Sequence, residues 1–340
     1  MLTRKRGIVI LIFTVYISVS MFGRNQSESV EDIQPNREDK IVIEHAYGES
    51  IISKTPVRVA TISWGNHDVP LALGITPVGI SAANYGVTEG EKLHPWTKEV
   101  LDSMNSEDTT IYDDIAGLDY EAISDSNPDV ILAAYSGITK EEYNLLSEIA
   151  PVIAYPKNPW QTLWREKTRL NSKAMGLELE GIELISRVEK LIESRTKKYP
   201  EIKDKSAAFF YFNPSDLGKF YIYTPVDARA AYLKDLGLHF PESISEKLDI
   251  SSFAIELSSE NVDILYDLDL IFTYGDGNLL EALKSDPLIG TIPAVANNAV
   301  VLIEDNSPLA ASCTPSVLSI PWYIDDYLTL INSAAENVKW

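Results

Sequence analysis

A single cysteine, Cys313, stands in 340 residues, which excludes an intrachain disulfide and a thiolate metal cluster. Histidine is almost as scarce. His45, His67, His94 and His239 are the four, and none has a second histidine within metal-ligand spacing. His67 and Asp68 are adjacent, but neighbours on one element do not converge on one ion. Basic residues are outnumbered, 29 Lys and Arg against 50 Asp and Glu, for a net charge of −21. That deficit excludes nucleic acid as a partner, because phosphate contacts need a basic surplus. The chain also lacks a Walker-type phosphate loop and a G-x-S-x-G elbow, so no catalytic residue is nominated and no enzyme is expected.

What is present reads as a globular chain: 45% of residues are hydrophobic and 23% charged, and the length suits two domains or one large α/β domain. The first 22 residues differ from the rest. Arg4, Lys5 and Arg6 precede an uncharged, largely apolar run from Gly7 to Phe22, the pattern of an export signal. The run is short for a membrane span, so residues 1–22 are either a cleaved leader or an uncleaved anchor. Residues 23–40 are polar and read as a disordered tether. An exported protein is expected, periplasmic or held at the outer face of the cytoplasmic membrane.

Beyond the tether, Lys40 to Lys54 holds two short apolar runs around Gly48, a hairpin pattern. Val57–Ile62 is a strand, Asp68 a cap for the helix Val69–Leu73, Gly74 its stop, and Pro77–Ile80 a second strand. Strand, helix and strand within so short a stretch form a βαβ unit, hence a parallel sheet. Near the middle, Leu184, Ile185, Val188, Leu191 and Ile192 fall on one helical face within Leu179–Tyr199, before Pro200. Such a helix is about 30 Å long. The segments on either side echo one another, most clearly Glu121…Asp129-Val-Ile-Leu-Ala and Glu260…Asp269-Leu-Ile-Phe-Thr. The expected architecture is therefore α/β: two Rossmann-like lobes, residues 41–178 and 200–340, joined by one interlobe helix over 179–199, with the ligand cleft between them.

Ligands of open parallel sheets sit beyond the carboxyl ends of the strands. Applied here, the rule selects loops carrying Trp64, His67, Tyr85, Trp96, Tyr135 and Trp160 in the first half, and Tyr223, Arg229 and Tyr274 in the second. Aromatic side chains make low-entropy walls for a large, partly apolar ligand, and His67 would add a polar wall. No resident metal or cofactor is expected.

At SWGNHDVPLALGITPVG, PDVILAAYSGITKEEYNLLSEIAPVIAYP and SDPLIGTIPAV the chain resembles the substrate-binding proteins of iron–siderophore ABC importers, a helix-hinged family that also includes haem and vitamin B12 binders. The resemblance runs from about Ile41 to Leu330. It implies a monomeric, bilobed binder that opens little, with a ferric siderophore as ligand and an ABC permease as partner. It further implies one exposed glutamate per lobe that docks on permease arginines, and the matching positions are Glu121 and Glu260. Relatives from Gram-positive bacteria carry a lipobox cysteine after the signal, and no cysteine stands near residue 22 here. The cleft loops are poor in Lys and Arg, which favours a neutral or cationic ferric hydroxamate over an anionic catecholate complex. Haem or cobalamin binding, or a ligand-sensing module for a membrane receptor, are the alternative readings.

Overall fold

The computed structural model describes residues 40–338 except Asn105, Glu107 and Ile115. The expected leader and nearly all of the tether lie outside these residues. Among the described residues no helix is long and apolar enough to cross a membrane.

The chain opens with a two-stranded hairpin, β1 (Ile41–His45) and β2 (Gly48–Ile52), in which Gly48 takes a positive φ of 121° at the turn. A five-stranded sheet follows, built from β3 (Val59–Thr61), β4 (Gly79–Ser81), β5 (Thr110–Tyr112), β6 (Val130–Leu132) and β7 (Val152–Ile153). Its spatial order is β5-β4-β3-β6-β7, and every pairing is parallel. β3, β4 and β6 are buried on both faces, as a parallel sheet covered by helices requires.

The second sheet holds β8 (Ala207–Asn213), β9 (Asp216–Tyr223), β10 (Ala254–Ser258), β11 (Leu270–Tyr274) and β12 (Val300–Ile303). Its order, β10-β9-β8-β11-β12, repeats that of the first sheet. Its directions do not. β9 pairs antiparallel with both β8 and β10, while β11 pairs parallel with β8 and β12, so β9 alone runs against the other four strands. The expectation that the second half simply repeats the first is corrected on this point: two residues separate β8 from β9, enough for a hairpin and far too few for a helical crossover.

The echoed segments do occupy equivalent places. In each sheet the fourth strand is preceded by an aspartate that clamps the entry to the first strand. Asp129 Oδ2 accepts from the backbone N–H of Val57 and Arg58, and Asp269 Oδ2 from the N–H and hydroxyl of Ser206.

The long helix spans Glu178–Thr196, about 28 Å. Leu184, Ile185, Val188 and Ile192 are buried along it, while Leu191 is only half covered. It packs on the helix Trp164–Ala174, where Gly181 meets Ser172, and on the C-terminal helix Ser319–Ala335. One apolar cluster runs from Val59 and Val130 through Leu184 and Val188 to Phe209, Phe272 and Tyr327. Two α/β lobes thus meet on one helix and share a core, which stiffens the joint.

Candidate functional site

Aromatic residues from both lobes converge on a cleft of ≈ 420 Å³. Trp64 follows β3, Tyr85 follows β4, and Tyr135 follows β6, as the strand-end rule expects. Asn66, fully buried, fixes the Tyr135 backbone by accepting from its N–H at 3.1 Å and donating to its carbonyl at 3.0 Å. Trp160 stands edge-on to Tyr135, ring centroids 5.5 Å apart. Its φ is 60°, so it lies in a turn ahead of the helix that begins at Trp164.

The opposite wall comes from the second sheet. Tyr274 ends β11, Tyr223 ends β9, and Tyr211 lies in β8. Phe253 stacks beside Tyr223 at 6.4 Å. Tyr85 and Tyr274 meet across the lobes at 6.2 Å. At the same seam Tyr85 Oη donates to Asp305 Oδ1 at 2.7 Å, and Gly86 N–H donates to Asn306 Oδ1 at 2.7 Å.

Arg229 is the one cation lining this cleft among the described residues. Its guanidinium lies 3.8 Å from the Tyr223 ring centroid. It donates from Nε and Nη2 to both carboxylate oxygens of Asp227, at 2.9 and 2.8 Å. Burial alone would lower the guanidinium pKa; the hydrogen bonds and charge of Asp227 outweigh it and hold it above its usual value. Asp227 also caps the helix Ala228–Asp235 by accepting from Arg229 N–H. The cleft therefore presents a charge pair and the further carboxylate of Asp305, not a free positive charge. Burial raises the phenol pKa of Tyr85, Tyr135, Tyr223 and Tyr274, so these rings stay neutral at physiological pH.

Seven of the nominated ligand residues, Trp64, Tyr85, Tyr135, Trp160, Tyr223, Arg229 and Tyr274, line this cleft. Trp96 lines no part of it, and the expectation is corrected there; His67 lines the adjoining N-lobe cavity instead, which shares Trp64 and Trp160 with the cleft. Trp96 is buried, stacked on His94 at 4.5 Å, with its indole N–H donated to Asp68 at 3.2 Å. His67 is 4% exposed and faces Asp68 and Thr97 at the back of the loop. Burial outweighs the neighbouring carboxylate and lowers its pKa to about 4. Asp68 does not cap the short helix that contains it. It is buried and accepts from Trp96, Thr97 and the C-lobe residue Ser316. Tyr211, Phe253, Asp227 and Asp305 also line the cleft without having been singled out. Asp227 carries the signal that could have found it, a carboxylate two residues before the only cleft arginine.

Glu121 and Glu260 are exposed, and among the described residues neither has an ion-pair partner. Each lies in the crossover to the fourth strand of its sheet, two residues after a capping side chain, Asp119 or Ser258.

No group of three or more His, Cys, Asp or Glu among the described residues is placed to hold a metal ion.

A family model described as "Periplasmic binding protein" matches residues 59–306. The crystal structure of Streptococcus pneumoniae TIGR4 PiaA in complex with ferrichrome is 54% identical, covering 88% of this chain and all of that one, with a TM-score of 0.85. Staphylococcus aureus SirA complexed with staphyloferrin B is 25% identical over 86% of this chain and 98% of its own, with a TM-score of 0.66. The iron(3+)-hydroxamate-binding protein YxeB of Bacillus subtilis (strain 168) is 23% identical over 193 residues, 55% of this chain and 59% of that protein's length.

Proposed function

The chain belongs to the periplasmic binding protein family, and from that premise we propose that it captures a ferric hydroxamate siderophore outside the cytoplasmic membrane and delivers it to an ABC permease. It binds and hands over its cargo and catalyses nothing. The observation that carries the hydroxamate reading is the Arg229–Asp227 pair. With its one cation neutralised, an aromatic cleft suits an iron complex without net negative charge. An anionic catecholate complex would enter without an unpaired counter-charge. The likeness to the ferrichrome-bound PiaA structure supports the same class.

In this reading residues 1–22 direct export or anchor the chain, 23–40 form the tether, and the lobes divide around the interlobe helix at 41–178 and 200–340. Glu121 and Glu260 are the docking charges, one on each lobe. The protein acts as a monomer, with no cofactor of its own.

Tryptophan fluorescence tests the proposal, since Trp64 and Trp160 both line the cleft. Saturable quenching at sub-micromolar ferric hydroxamate, with weaker response to a catecholate complex, is the expected result. Quenching by haem or cobalamin alone would replace the siderophore reading.

A further inference from the structure

Lys167 is buried where lysine rarely stands. It is 2% exposed, on the inner face of the helix Trp164–Ala174. It does not line the aromatic cleft, yet it reaches two segments that do. Its Nζ lies 5.4 Å from the centroid of the Tyr135 ring, within range of a cation–π contact. The same Nζ comes so close to Gly65 that a β-carbon there would stand 3.0 Å from it. Gly65 has a φ of 61°, so the loop after β3 needs glycine both for its backbone and for the ammonium behind it. Asn171, one turn further along the same helix, donates from Nδ2 to Asn66 Oδ1 at 3.1 Å, and Asn66 clamps the Tyr135 backbone. One helix thus backs both Trp64 and Tyr135, through a charge at Lys167 and an amide at Asn171.

Few charges face this ammonium. From the helix Asp68–Ala72 comes Asp68, buried and accepting from Trp96, Thr97 and the C-lobe residue Ser316. From the loop before it comes His67, uncharged at neutral pH because burial lowers its pKa to about 4. From the loop after β6 comes Tyr135, whose phenol burial keeps neutral. The interlobe helix, β1, β6 and β7 also pack on the helix of Lys167, and among the described residues they bring no charge that acts on it. Burial outweighs Asp68 and lowers the Lys167 pKa to about 8. Its neighbours are displaced away from that value. Burial raises the phenols of Tyr85, Tyr135, Tyr223 and Tyr274 and takes the Cys313 thiol up to about 12, and Asp227 holds Arg229 high.

We propose that Lys167 is a positioning residue for ligand capture: its ammonium holds the Trp64 loop and the Tyr135 ring as one wall, and the cleft binds its ligand best while that ammonium is charged. A neutral amine loses the attraction to the ring face, and part of the binding free energy then goes into ordering the wall. The inference rests on the aromatic cleft being the ligand site and adds how that site is held. The effect of Lys167 on stability has the opposite sign. Its folded pKa lies below the 10.5 of an ordinary lysine, so the unfolded chain keeps this proton to higher pH. The contribution of Lys167 to stability therefore grows as pH rises from 8 toward 10.5, while capture weakens.

The test uses the full chain and a ferric trihydroxamate with no ionisable group outside the chelate, titrated by tryptophan quenching from pH 7 to 9.5. Affinity is expected to fall about five-fold, as loss of one cation–π contact supplies, with a midpoint near pH 8. Lys167→Met keeps the reach of the side chain without its charge, and its affinity should be flat over that range at the weaker level. In urea unfolding the unaltered chain should gain stability relative to this variant as pH rises, which a residue that merely props the fold would not combine with falling affinity. A further measurement needs no variant: in the carbon-13 spectrum of lysine-labelled chain, one ε-carbon should titrate near pH 8. Affinity independent of pH in the unaltered chain, an equal fall in Lys167→Met, or no lysine titrating in that range would overturn the role of Lys167 and leave the cleft reading intact. No binding of the complex at any pH would overturn both.

Discussion

Arg229 and Asp227 face each other through two hydrogen bonds of 2.9 and 2.8 Å beneath the Tyr223 ring. This pairing decides the charge that a ligand meets. Asp227→Asn frees the guanidinium and keeps a side chain able to cap the helix. The affinity of an anionic ferric catecholate should then rise about ten-fold while that of a neutral hydroxamate changes little, as calorimetric titration of both would show.

Arg229→Ala has a different consequence, because it strands a buried carboxylate. Asp227 is 2% exposed, and removing its partner should cost about 3 kcal/mol of stability. Urea unfolding reads that loss directly. Arg229→Lys should recover only part of it, since an ammonium cannot make the two-point contact.

Gly86 sits at the seam with a φ of 68°, and a β-carbon there would fall against Ala311 and 2.7 Å from the Ser307 carbonyl. Gly86→Ala should therefore hold the lobes apart and weaken binding by about ten-fold through strain at a position that disfavours side chains. Small-angle scattering of the variant should show a more open pair of lobes than in the unaltered chain.

His67 sets a pH dependence. Its folded pKa, about 4, lies below the usual 6.5 because the ring is buried. The unfolded chain thus takes up this proton first as pH falls. The stability linked to His67 is complete above pH 6.5 and is lost toward pH 4, by up to about 3 kcal/mol. His67→Asn should flatten that stretch of the stability profile, measured as denaturation midpoints at pH 7 and 4.5.

Glu121 and Glu260 should matter to delivery and not to capture. Reversing both to Arg should leave the siderophore dissociation constant in place and reduce permease-dependent uptake by about ten-fold or more, because like charges would then meet at the docking face.

Much of this fold was legible in the chain. Gly74 ends its helix with a φ of 79°, and the aspartates at 129 and 269 mark the same junction in both sheets. The antiparallel pairing of β9 was not legible, because β8 reads as a buried apolar run for most of its length and such a run carries no direction. Asp68 reads as a cap only while its distant partner is unknown; Ser316, 248 residues away, claims its carboxylate instead. Trp96 shows the limit of the strand-end rule. It selects loops, and it does not say which side chains within them turn back into the core.

The most direct measurement is a crystal structure of the chain with a ferric trihydroxamate, with the iron located by its anomalous scattering. The account predicts one iron between Trp64 and Trp160 on one side and Tyr223 and Arg229 on the other, coordinated by the chelator alone. Iron bound elsewhere, as in the ≈ 610 Å³ cavity beside Trp164, Arg165 and Tyr232, or iron ligated by side chains of this chain, would contradict it.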